Sequence, residues 1–184
     1  MAVFTKLLNE DIEKFISDYL IGNLDTFEEI VDGIENSNFK IFCNNKPYIL
    51  TIFEKRVTEE ELPFFINLKN FLNKNDFKCP KPIPDKNGKI LKKIKDKTAV
   101  IISFLEGKNI EKPNIEMCQE VGKMIANLHN LTSKFEEKRH NSLDLKDWKE
   151  ILKKCLNNEP KKFKETMHLL KDEIDYLENN WPSN

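Results

Sequence analysis

A glycine followed closely by three small polar residues, Gly33-Ile34-Glu35-Asn36-Ser37-Asn38, stands between two runs of β-forming residues, a combination able to grip phosphate oxygens. Glycine turns where other residues resist turning, and it lets the backbone come close to an anion. Asn36, Ser37 and Asn38 add groups that hydrogen-bond phosphate or accommodate unusual turn angles themselves. Alone the pattern is weak, because one glycine with Asx and Ser neighbours also describes an ordinary turn. Its weight depends on the elements around it.

Those elements are legible from apolar spacing. Asn9 can cap a helix carrying Ile12, Phe15, Ile16, Tyr19 and Leu20 on one face, with Gly22 as its stop. Phe27 to Val31, Phe39 to Cys43 and Tyr48 to Phe53 read as strands, separated by the Gly33 turn and by Asn44-Asn45-Lys46-Pro47. Thr58-Glu59-Glu60-Glu61 is a capping box opening a helix through Phe65, Leu68, Phe71 and Leu72, with Pro63 in its first turns. Cys79-Pro80-Lys81-Pro82-Ile83-Pro84 forces an extended segment. Lys89 to Ile94 and Ala99 to Phe104 resume as strands, and Asn87-Gly88 marks a solvated hairpin within the Lys-rich stretch from Lys86 to Lys97.

After Gly107 no strand-like run recurs. Ile115, Cys118, Val121, Gly122, Ile125, Leu128 and His129 recur at helical spacing and predict a helix packed on a core. Two charged helices follow, roughly Leu145 to Leu156 and Pro160 to Leu177, with Asn157-Asn158-Glu159-Pro160 between them. A boundary near Leu105 to Pro113 gives two domains, residues 1–106 and 107–184.

Composition bounds the rest. The 184 residues hold 30 Lys and Arg against 31 Asp and Glu, a net charge of -1, so no global field draws in nucleic acid or an anionic membrane. Cys43, Cys79, Cys118 and Cys155 are widely separated, with no histidine at zinc-ligand spacing, which reads as reduced thiols in a reducing cytosol. Met1 to Leu8 lacks the pattern of a secretory signal, and no run of ~18 apolar residues predicts a membrane span.

A hairpin over phosphates, a third strand, a helix acidic in its first turn, two more strands and a linker into helices reproduce the order of a kinase small lobe. Met1-Ala2-Val3-Phe4-Thr5, Gly33 to Phe39, Pro47 to Val57, Glu61-Leu62-Pro63-Phe64-Phe65 and Ser103-Phe104-Leu105-Glu106-Gly107 resemble the bacterial homoserine kinases, of the aminoglycoside phosphotransferase and choline kinase group. The likeness covers most of the first ~130 residues. It implies an α+β fold: a protein-kinase-like small lobe, an antiparallel sheet of about five strands plus a helix, then the first helices of a helical large lobe. It further implies ATP-dependent phosphorylation of L-homoserine, a step of threonine biosynthesis, with Mg²⁺. By position Gly33, Asn36, Ser37 and Asn38 inherit the phosphate role. Ser103, Phe104, Leu105 and Glu106 inherit the adenine segment, and Ile49 and Ile102 are candidate pocket lining.

Two departures stand beside that likeness. Kinases of this type place a lysine on the third strand to hold phosphates and pair with a helix glutamate. Here Thr51 holds that position, Lys55 lies further along, Glu61 is the candidate glutamate and Glu60 its alternative. The His-x-Asp catalytic loop is absent, since His129, His140 and His168 are followed two residues later by Leu131, Ser142 and Leu170. The sequence therefore offers no catalytic and no metal-binding residue, and the metal ligands are expected beyond residue 184. The expectation is an inactive N-terminal fragment of a longer enzyme. Two alternatives stay open: another small-molecule hydroxyl kinase of the group, or a non-catalytic nucleotide-binding or scaffold protein. Oligomeric state stays undetermined.

Overall fold

The computed structural model describes residues 4–55, 57–141, 143–157 and 163–181. The Asn158-Glu159-Pro160 break, the start of the last helix at Pro160, Ser142, Arg56 and the two chain ends lie outside them. Two compact units are present, Met1–Lys138 and Arg139–Asn184.

In the first unit the chain runs α1 (Asn9–Ile16), β1 (Leu24–Ile30), β2 (Asn36–Cys43), β3 (Lys46–Phe53), α2 (Leu62–Lys74), β4 (Lys92–Ile94), β5 (Lys97–Ser103) and α3 (Ile115–Thr132). The strands form one antiparallel sheet in the order β1-β2-β3-β5-β4. Asn44 and Asn45 between β2 and β3 both have positive φ, 48° and 61°, as a two-residue hairpin of the mirror-image turn type requires. Lys95 and Asp96, φ 46° and 62°, turn β4 into β5. The Asn87-Gly88 pair thus serves a different turn from the expected hairpin. There the Asp85 carboxylate accepts the N–H groups of Asn87 and Lys89 at 2.9 and 2.8 Å, an Asx-type closure.

Strand alternation gives the sheet two unlike faces. One carries Ser37, Phe39, Ile41 and Cys43 from β2 with Leu50, Ile52, Ala99 and Ile101, all fully buried. Ile12, Phe15 and Ile16 of α1 close over this face with Leu7, Tyr19 and Ile21. Full burial of each Leu, Ile or Phe side chain in this set stabilises by roughly 1.5–3 kcal/mol. The cap of α1 differs from expectation: the Leu8 N–H donates to the Asp11 carboxylate at 2.8 Å, and Asn9 lies inside the helix. The helix ends at Ile16 on Ser17. Gly22 is instead needed where Asn44 crosses it, since a Cβ there would stand 2.4 Å from that side chain.

The N-terminal segment is held to the same face by a polar knot. The Ser37 hydroxyl accepts the N–H groups of Phe4 and Thr5, at 2.9 and 3.0 Å, and donates to Glu54. Lys97 in turn pairs with Glu54, whose side chain is 2% exposed, and donates to the Thr5 hydroxyl at 2.8 Å.

On α2, Leu62, Ile66 and Leu72 are buried, while Phe65 and Leu68 are half-buried. Phe135, beyond α3, packs on Phe64 and Phe71 with ring centroids 5.7 and 5.3 Å apart. The third helix departs from the sequence expectation: none of its residues is buried, and Val121 and Ile125 remain 56% and 47% exposed. Its amphipathic spacing is real, but no described element covers the apolar face.

The second unit is a pair of charged helices, α4 (Leu145–Asn157) and α5 (Lys164–Asn180). Trp148 meets Trp181 edge to face, and Lys149 pairs with Glu178. Among the described residues no helix is long and apolar enough to cross a membrane.

Phe39→Ala, at the centre of the buried face, is expected to cost about 3–5 kcal/mol in urea unfolding. A cost under about 1 kcal/mol would take that ring out of the core. Burial alone would push the Glu54 carboxyl up, but hydrogen bonds from Lys97, Ser37 and Thr5 and the Lys97 charge hold it below the ordinary 4.5. A depressed folded value means the ionised form stabilises, fully so above 4.5 and progressively less as pH falls through the folded value. The stability gap between wild type and Glu54→Gln should therefore be flat near neutrality and close in acid. A gap that widens in acid would reverse the assignment.

Candidate functional site

The sheet face turned away from α1 is the candidate site. β2 presents Asn36, Asn38, Lys40 and Phe42 there, all half-buried, and the antiparallel register sets them beside β3 and β5. Asn38 stands opposite Thr51, and Thr51 opposite Val100. One rung further, Lys40 stands opposite Ile49, and Ile49 opposite Ile102. On β3 and β5 the face thus passes from the Thr51 hydroxyl to the aliphatic Ile49 and Ile102, while Lys40 and its β1 neighbour Glu28 bring charge to the second rung.

At the polar end the loop between β1 and β2 carries Gly33 at φ 119°, a conformation that strains any residue with a Cβ. The Thr51 hydroxyl donates to Asn38 Oδ1 at 2.8 Å, which fixes the Asn38 amide with its NH₂ group turned back toward the Asn36 carbonyl, 3.5 Å away. Thr51 therefore works as a positioning hydroxyl on this strand. Ser37 is a correction to the sequence expectation. Period-two alternation sends its side chain to the opposite, buried face, where the hydroxyl is engaged with Phe4, Thr5 and Glu54.

At the apolar end the segment after β5 leaves the sheet. Ser103 is tied down, its N–H donating to the Lys81 carbonyl at 2.8 Å and its hydroxyl accepting from the Lys81 N–H at 2.9 Å. Phe104 is half-buried, and Leu105 and Glu106 are exposed. Among the described residues the backbone N–H groups of 104–106 have no hydrogen-bond acceptor. An edge of free main-chain donors beside Ile49 and Ile102 suits a flat heteroaromatic ring with acceptor atoms on its rim.

Glu61 sits at the start of α2, where one carboxylate oxygen accepts the Thr58 N–H at 3.1 Å. That bond closes the 58–61 turn rather than the expected capping box, since α2 opens only at Leu62 with Glu61 itself at the N-cap and no side-chain cap. Glu60 is exposed. Lys55 lies past the end of β3, lining a small hollow with Phe4, Ile34, Glu35 and Glu54.

Three groups escaped the sequence analysis. Lys40 was legible in principle, since Asn36, Asn38, Lys40 and Phe42 alternate along one strand; its ammonium lies 4.4 Å from the Phe104 ring centroid and 5.0 Å from that of Phe42. Glu54 with Lys97 pairs residues far apart in the chain, with no local signal. In the second unit His140, Asp144 and Asp147 bring ligand-type atoms within 4.8 Å of one another. There His140 Nε2 faces Asp147 Oδ2 at 3.1 Å, near enough for an ion pair though not aligned as a hydrogen bond. Asp144 accepts the Asp147 N–H at 3.1 Å, which helps hold its carboxyl below the usual range and marks it as a cap of α4.

Comparison with known proteins agrees with this architecture. The phosphotransferase enzyme family, APH, matches residues 26–184. Over 182 residues the chain is 38% identical to a homoserine kinase of Agrobacterium fabrum, covering 99% of this chain and 56% of that protein. A homoserine kinase of Bartonella henselae is 38% identical over 183 residues, covering 100% of this chain and 57% of the relative. The chain thus spans a little over half the length of the curated relatives it matches. A solved spectinomycin phosphotransferase in complex with ADP and spectinomycin superposes with a TM-score of 0.69 and 11% identity, over 98% of this chain and 60% of that one. The five-stranded antiparallel sheet with its helices is therefore the protein-kinase-like fold of the aminoglycoside phosphotransferases. With that fold, and with a family match running from β1 to the end of the chain, this chain belongs to the phosphotransferase enzyme family.

Proposed function

We propose that the protein containing this chain is a homoserine kinase, moving the γ-phosphoryl group of ATP to the side-chain hydroxyl of L-homoserine in the cytoplasmic synthesis of threonine. The carrying observation is the order of groups along the sheet face: a hairpin whose positive-φ position is filled by Gly33 and the Asn38–Thr51 pair at one end, Ile49, Ile102 and free backbone donors at the other. That order matches an anionic tail joined to a flat base. The identity with homoserine kinases across the whole chain supports the choice of acceptor.

In this reading the Gly33 loop brings backbone N–H groups over the phosphates, and the Asn38 amide, held by Thr51, donates to a phosphate oxygen. Positioning and charge neutralisation carry most of phosphoryl transfer, since the loose transition state asks little covalent chemistry of the protein. Mg²⁺, when bound with ATP, neutralises charge on the phosphates. Of His140, Asp144 and Asp147, the first offers a nitrogen donor and Asp144 is already engaged in capping α4, so the trio does not fit the oxygen-and-water shell this ion prefers. The absence of a lysine at Thr51 makes the hairpin and the Asn38 amide more important than in kinases that have one.

The test is a coupled assay of the whole protein with ATP and L-homoserine, with choline and an aminoglycoside as competing acceptors. Homoserine-dependent ADP release above the other acceptors is expected, and turnover only with another acceptor would overturn the substrate. Gly33→Val should weaken ATP binding by about tenfold, roughly 1.4 kcal/mol, with an unchanged circular-dichroism spectrum. Unaltered ATP affinity by calorimetry would remove the hairpin from the phosphate site.

A further inference from the structure

We propose that Lys40 is a base-recognition residue of the nucleotide site, its stem roofing the purine and its ammonium reaching the purine's edge. This rests on the nucleotide reading above and adds to it a cation at the apolar end of the face.

Among the sheet's lysines Lys46, at the start of β3, has no ion pair among the described residues, and the others differ in their partners. Lys92 pairs with Asp18, Lys93 with Glu59 and Lys97 with Glu54. Glu28 stands opposite Lys40 across β1 and β2, yet among the described residues no carboxylate lies within ion-pair distance of the Lys40 ammonium, which rests on two aromatic rings, Phe104 and Phe42. A cation held by ring faces keeps its charge and its N–H donors, so it can accept a further aromatic face or donate to a ring nitrogen.

Position decides which part of a nucleotide Lys40 would meet. Its rung runs Glu28, Lys40, Ile49 and Ile102, aliphatic on the β3 and β5 side, and lies two residues along β2 from Asn38, so roughly 6–7 Å from the phosphate end. The ammonium leans further from the hairpin, toward Phe104, where the 104–106 backbone donors lie free. A purine seated against Ile49 and Ile102 would therefore have the lysine stem above it, an ammonium at its edge and main-chain donors along its rim. Phosphate binding would need the side chain to swing to the opposite end of the face.

Calorimetry on the whole protein with adenosine and with ATP separates the possibilities. Lys40→Met, which keeps the stem and removes the charge, should weaken both ligands by the same factor, about threefold to tenfold. Lys40→Arg should stay within about twofold of wild type, since arginine also pairs with aromatic faces. A loss confined to ATP would make Lys40 a phosphate partner and overturn base recognition. Unchanged affinity for both ligands would overturn it too, leaving Lys40 a surface side chain that shields Phe104. Gly33→Val in parallel separates this failure from failure of the nucleotide reading. If Gly33→Val weakens ATP while Lys40→Met does nothing, only the Lys40 inference falls. If the wild-type protein binds neither ligand, both fall. Because Lys40 is half-exposed, thermal melts of its variants should match wild type and exclude misfolding as the cause.

Discussion

Successive residues of β2 point to opposite faces of the sheet, and the structure depends on that alternation being kept through all eight residues of the strand. Ser37, Phe39, Ile41 and Cys43 go to the dry face, where α1 covers them. Asn36, Asn38, Lys40 and Phe42 go to the open one. A slip of one residue would bury two amides and an ammonium while exposing Phe39 and Ile41, so the buried face enforces the register of the site face. The rigidity of the candidate site is thus borrowed from a core that contains none of its residues.

Charge is sorted by the same two faces. Ser37, Glu54, Lys97 and Thr5 form a closed network in which a nearly buried carboxylate has its acceptor capacity used. Such a network is costly to break, since loss of one partner strands a buried charge. Its consequence is mechanical: the N-terminal segment is fastened across the base of β2 and β3, next to the hairpin that carries Gly33. On the open face polar groups are less fully engaged, with Asn38 fixed by Thr51 and Lys40 held only by rings. Loosely engaged donors on a rigid strand are what a ligand can use without first breaking strong bonds.

The helices after the sheet show the converse. Each has an apolar stripe at helical spacing, yet α3 buries none of its residues. Amphipathic spacing states which side of a helix is apolar and leaves open what will cover it. Most of a helix's stability in a protein comes from that cover, so the spacing of Ile115, Val121 and Ile125 does not establish burial.

The sequence by itself determined the kinds and order of elements: five strands, the inserted α2, and helices after Ser103, because β-branched runs, prolines and capping residues act through neighbouring backbone. It also marked Gly33, Asn36 and Asn38, whose value is local conformational freedom and hydrogen bonding. Only the tertiary structure decided which face each strand residue serves. It turned the Ser37 hydroxyl to the buried face, brought Lys40 beside Phe104 across 64 positions of the chain, and paired Glu54 with Lys97. The reason is that sheet register and face assignment are settled by long-range packing of α1 against one side, and no short stretch of sequence carries that information.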